Sequence, residues 1–151
     1  IDKKIGDQKR KAETMAQMAI VLLQKGETEK AFELYKQALD ILEKIGDQKG
    51  KSATLHQMAG VLLQKGQTQQ ALELYKQALG INEKIGGQQG KSATLHQMAG
   101  VLIQKGETEK ALELYKQALE IKEKIGDLKG NPLPFTVWQG YCFKKERQKK
   151  L

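Results

Sequence analysis

Glycines recur in this chain at a spacing of 40, as Gly6, Gly46, Gly86 and Gly126, as Gly26, Gly66 and Gly106, and as Gly50, Gly90 and Gly130. A fixed period of that length makes the chain a tandem array of one structural unit. Segments 46–85 and 86–125 differ at only 8 of 40 positions. Packing requires apolar pattern and volume, not identity. The matching surface residues Lys51, Gln57 and Lys76 therefore record DNA duplication and do not mark a site. The array divides into 1–5, the end of a truncated helix, then repeats 6–45, 46–85 and 86–125, then a divergent segment 126–151.

Each unit reads as two helices. Ala53, Leu55, Met58, Ala59, Leu62 and Leu63 recur at three- and four-residue intervals and predict a helix A from about Gln48 to Lys65. Ala71, Leu74, Tyr75, Ala78, Leu79, Ile81 and Ile85 predict a helix B from about Thr68 to Ile85, with Thr68 a candidate N-cap. The glycines read as helix stops, and Asp47 can cap the helix A that follows it. Short turns make neighbouring helices antiparallel, and a lone hairpin cannot bury its whole stripe, so hairpins must stack.

These residues resemble the tetratricopeptide repeat, whose pattern is W-x₂-L-G-x₂-Y, then A-x₃-F, then P. In the middle unit Leu55, Met58, Ala59 and Leu62 stand at the first four positions, and Ala71, Tyr75 and Ala78 follow. The departures are the absent aromatic in helix A, Glu83 in place of the terminal Pro, and a period of 40 instead of 34. The long variant looks like repeats of Pins-type adaptors and of bacterial scaffolds. The resemblance covers residues 1–130. It implies an all-α, right-handed solenoid of antiparallel hairpins, three repeats plus a degenerate C-terminal helix, with Ala59, Ala71 and Ala78 where the helices come closest and a protein-interaction surface on its concave side.

Both ends depart from the period. Ile1 to Ile5 align with Ile41 to Ile45, so the chain is expected to open in the last turn of a helix B. Asn131 to Leu151 can be encoded by bases that, regrouped by one position after restoring one A, read KSATLHRMAGVLLQKGETEKA. That is the repeat itself, so the tail is expected to be a frameshifted fourth repeat. Its apolar spacing predicts a helix from about Pro134 to Lys149 covering the helix B of residues 108–125; a disordered tail and an intermolecular contact are the alternatives. The tail carries +4 of the net charge of +8. A shifted origin removes the argument that Lys144 to Lys150 were selected for nucleic acid or membrane.

No Walker loop, GxSxG, HExxH or CxxC is present, and no nucleophile–base pair is visible, so a noncatalytic protein is expected. His56 and His96 occupy equivalent positions, but no third His exists and the adjacent helix A positions lack carboxylates. They are expected to line a groove, not to bind metal. Tyr35, Tyr75 and Tyr115 are expected to pack. The resemblance places the groove on Glu13, Gln17, Ile20 and Gln24, on His56, Gln57, Gly60 and Gln64, and on His96, Gln97, Gly100 and Gln104. That face is polar and nearly uncharged, so Lys/Asn clamping of a peptide carboxylate is not expected. The partner expected is a peptide or protein segment, with no cofactor, no metal, no nucleic acid and no membrane. The competing expectation is self-assembly, as a homodimer or fibre through uncapped ends. A lone Cys142 and the lack of a long apolar run point to a reducing, cytoplasmic setting.

Overall fold

The computed structural model describes residues 2–126. These form six helices: α1 (Asp2–Gln24), α2 (Thr28–Ile45), α3 (Gln48–Gln64), α4 (Thr68–Ile85), α5 (Gln88–Gln104) and α6 (Thr108–Lys124). No strand occurs among the described residues. The described residues divide into two compact units, on either side of a boundary at residues 90 and 91. The first holds the α1/α2 and α3/α4 hairpins and seats α2 on α3. In the second, the body of α5 packs on α6 around Ala99, Ala111 and Tyr115.

Close helix approach rests on alanine, as expected. Ala19, Ala31, Ala38, Ala59, Ala71, Ala78, Ala99, Ala111 and Ala118 are fully buried. Two serines add a polar tie that apolar spacing does not reveal. Ser52 Oγ–H donates to the Ala78 carbonyl at 3.2 Å and Ser92 Oγ–H to the Ala118 carbonyl at 3.3 Å, each joining the two helices of a hairpin. Ala12 fills the same position in the first hairpin at 1% exposure, without a hydroxyl.

The helix stops follow the glycines of two series. At Gly46, φ is +74°; its N–H donates to the Glu43 carbonyl at 3.2 Å and the Asp47 N–H to the Leu42 carbonyl at 3.0 Å. This is a Schellman closure that only a left-handed residue makes without strain. Asp47 then accepts the Gly50 N–H at 3.0 Å and caps α3.

Three expectations need correction. The third glycine series is not a set of stops: Gly50 and Gly90 lie in the first turns of α3 and α5. A Cβ on Gly50 would sit 2.7 Å from Asp47 Oδ2 and 2.8 Å from Leu42 Cδ2, so this glycine gives room for the cap and for the preceding helix. Thr68 is not the N-cap. Gln67 occupies that place without a side-chain bond, and its carbonyl accepts the Ala71 N–H at 3.0 Å. The Gly66 turn also ties the Gln67 N–H to the Leu62 carbonyl at 2.8 Å, and the helix starts one residue earlier than the cap assignment requires. Residues 2–5 do not end a separate helix; α1 runs unbroken from Asp2 through Gly6. Continuing α1 through these residues adds one hydrogen bond per residue fixed. The helix expected over Pro134 to Lys149 and the frameshifted segment lie outside the described residues.

Candidate functional site

The packing stripe of helix A decides what is left for its opposite face. On α3, Leu55, Met58, Ala59, Val61 and Leu62 are at most 4% exposed, and Gln57 and Gln64 on the other side are exposed. On α5, Leu95, Met98, Ala99 and Val101 are buried while Gln97 and Gln104 are exposed. On α1, Glu13, Gln17 and Gln24 are exposed. The glutamines at the equivalent positions 17, 57 and 97, and 24, 64 and 104, thus point away from the core in every hairpin.

The histidines sit deeper than groove lining implies. His56 packs its ring edge-on against Tyr75 at 5.2 Å between centroids, and His96 packs against Tyr115 at the same distance. Burial pushes both imidazoles below the ordinary histidine value, and the Lys122 charge adds to the effect at His96. Both rings are therefore held toward their neutral form. His96 Nδ1 is buried without a hydrogen-bond partner. Burial likewise raises the pKa of Tyr35, Tyr75 and Tyr115, which fits their expected packing role.

Glycine opens this face in the later hairpins. A Cβ on Gly60 would meet nothing within 4 Å, and one on Gly100 would meet only the Tyr115 hydroxyl, at 3.8 Å. The first hairpin differs at both places: Ala16 stands where His56 and His96 stand, and Ile20 where Gly60 and Gly100 stand. Ile20 joins the cluster around Tyr35, so it is packed inward and half-buried. Tyr35 is 0% exposed and its hydroxyl has no partner. Glu13 is unique in the same way, since Ala53 and Ala93 occupy its position.

Within the first unit, a cavity of about 360 Å³ opens between α1 and α3. Ala12, Ala16 and Ala53 form its apolar floor, and Glu13, Gln17 and Lys49 border it. Lys9 and Asp47, 3.8 Å apart, close one end. Of the residues expected in the groove, only Glu13 and Gln17 line it. The cavity arises because three small side chains meet there, a feature legible only once α1 and α3 are neighbours. Among the described residues no cluster of three His, Cys, Asp or Glu could hold a metal ion, and no helix is long and apolar enough to cross a membrane.

The arrangement agrees with known proteins. Tetratricopeptide repeat patterns match residues 12–45 and 50–124. A Podosopora anserina protein described as a kinesin light chain with nearly identical TPR-like repeats is 26% identical, with a TM-score of 0.66 over 78% of this chain and 57% of that one. BtubC (BKLC) from P. vanneervenii is 19% identical, with a TM-score of 0.69 over 87% of this chain and 60% of that one. The TPR domain of Arabidopsis FLU is 20% identical, with a TM-score of 0.70 over 78% of this chain and 98% of that domain. The last two share the fold alone. This chain spans less than two thirds of the first two. No curated protein matches it by sequence.

Proposed function

Because the chain belongs to the tetratricopeptide repeat family, we propose that it is a noncatalytic scaffold whose helix A faces hold a peptide or protein segment. Repeats of this family are in general interaction scaffolds, and the observation that carries the reading here is the exposure of Gln57, Gln64, Gln97 and Gln104 beside the open backbone of Gly60 and Gly100. Glutamine offers donors and acceptors together, and glycine lets a ligand backbone come close. The neutral imidazoles leave the face with little charge, which favours an uncharged segment over an acidic terminus. Within the first unit, the cavity bordered by Glu13 and Gln17 offers an apolar recess.

The test is selection of peptides from a random display library against residues 1–151, followed by affinity measurement on variants. Gln57→Arg and Gln97→Arg are at exposed positions and leave the core intact. Selected peptides are expected to lose at least tenfold in affinity to the double variant. Peptides that bind both proteins equally, or a library that yields none, would refute the reading.

A further inference from the structure

The cavity between α1 and α3 lies within the first unit and carries one unspent charge on its wall. To this wall α1 contributes Lys9, Glu13 and Gln17, each one helical turn of about 6 Å from the next, and α3 contributes Lys49 and Ala53 at the same interval. The contact of Lys9 with Asp47, at 3.8 Å, sets the register of the two helices. It gathers Lys9, Asp47 and Lys49 at one end and, one turn further, brings Glu13 level with Ala53, above the methyl groups of Ala12 and Ala16. No cation among the described residues meets Glu13; Lys9, its neighbour one turn away, reaches Asp47 instead. The counterparts of Glu13 on α3 and α5 are Ala53 and Ala93, so the charge belongs to this cavity alone.

We infer, resting on the scaffold reading above, that this cavity takes one arginine side chain of the bound segment, its methylenes on the alanine floor and its guanidinium on the Glu13 carboxylate. A volume of about 360 Å³ is near the lower end of ligand pockets, about 300–1,000 Å³, and suits one long side chain. Ala16 stands where the later hairpins carry His56 and His96, so the space of a ring is left open here. Arginine meets both demands of the cavity. Its stem covers apolar surface while its planar fork bonds both oxygens of a carboxylate, and its weak hydration makes partial burial less unfavourable than for lysine. The Gln17 carboxamide, one turn on, supplies a further acceptor. Lys9 and Lys49 at the opposite end repel a cation and hold it to the Glu13 side. An acidic occupant would meet Lys49 only beside the Asp47 carboxylate, and Glu13 would repel it.

The experiment titrates the full chain with arginine blocked as N-acetyl-L-arginine N-methylamide and follows the alanine methyl resonances by NMR. Saturating shifts at Ala12, Ala16 and Ala53 are expected at millimolar probe. The norleucine analogue, which keeps the stem without the charge, should bind about fivefold more weakly, the effect of one exposed ion pair. Glu13→Gln, at an exposed position, should erase that difference, and Glu13→Arg should turn the preference toward the glutamate analogue. Ala53→Gln, also at an exposed position, should weaken the arginine and norleucine probes together by filling the floor. Absence of these shifts, equal binding of the arginine and norleucine probes, or an unchanged preference in Glu13→Gln would overturn the inference. Library peptides that bind the helix A faces without any basic residue would overturn it while upholding the scaffold reading. Glu13-dependent binding of the arginine probe with no library peptide selected would refute the scaffold reading and uphold the specificity of the cavity.

Discussion

Gly50 and Gly80 invite the same substitution and should answer with opposite signs. Gly80 lies inside α4 with open space where a Cβ would go, and Asp40 and Glu120 fill its position in the other hairpins. Gly80→Ala removes the entropic penalty of glycine in a helix interior and should stabilise by about 1 kcal/mol. Gly50→Ala gains less, because the residue sits in the first turn of α3. Its new methyl would lie 2.7 Å from Asp47 Oδ2 and 2.8 Å from Leu42 Cδ2. The carboxylate must swing away, giving up a cap worth about 1 kcal/mol. Leu42, 4% exposed, must also shift its Cδ2 to make room, which adds an overpacking cost of about 1–3 kcal/mol. After the small propensity gain, a net loss of about 1–3 kcal/mol is expected. Thermal unfolding followed by circular dichroism should show Gly80→Ala raised, and Gly50→Ala lowered, by about 2–4 °C per kcal/mol. Leu42→Ala should cost less in the Gly50→Ala background than in the wild-type protein, because it also relieves the clash. A Gly50→Ala protein as stable as wild type would refute the assignment of this glycine to close approach.

Ala71→Leu should destabilise by about 1–3 kcal/mol in urea unfolding, since Ala71 is fully buried at the α3/α4 contact. An unchanged midpoint would mean that the hairpin is looser than its alanines imply. Asn82 and Gly87 replace the Leu42 and Asp47 of the previous turn, and a Cβ on Gly87 would lie 2.9 Å from Asn82 Oδ1. Gly87→Asp alone should therefore gain little, whereas Asn82→Leu with Gly87→Asp rebuilds the cap and should gain about 1 kcal/mol, measured as a double-mutant cycle. Because burial lowers the pKa of His56 and His96, the unfolded chain binds protons more readily than the folded one as pH falls below 6.5. Stability should be full above 6.5, decline below it, and level off under the folded-state values. Replacing both histidines with Gln should flatten that dependence in unfolding curves between pH 7.5 and 5, and an unaltered slope would disprove it.

The period of 40 and the three- and four-residue spacing of Leu55, Met58, Ala59 and Leu62 were enough to specify paired helices, antiparallel turns and the family. Each of those features is local: a helix needs its own backbone bonds and one apolar stripe, and a turn needs a glycine that can take positive φ. The buried alanines were legible through the family pattern, which sets small residues where its helices come closest. The exposed glutamines of the proposed surface followed by subtraction from that stripe. Properties that depend on residues remote in sequence were not legible. Gly50 looked like a stop, but its role is fixed by Leu42 and Asp47 across a turn. Ser52 lies outside the apolar stripe, and its bond to the Ala78 carbonyl exists only because α4 lies beside it. His56 and Met18 show the two sides of the same limit. The imidazole became half-buried because Tyr75 reached it from the next helix, while Met18 stayed open although its twin Met58 is covered by α2. Sequence periodicity states which side of a helix is apolar, but exposure depends on what lies against that side, and only the packed chain supplies the neighbour.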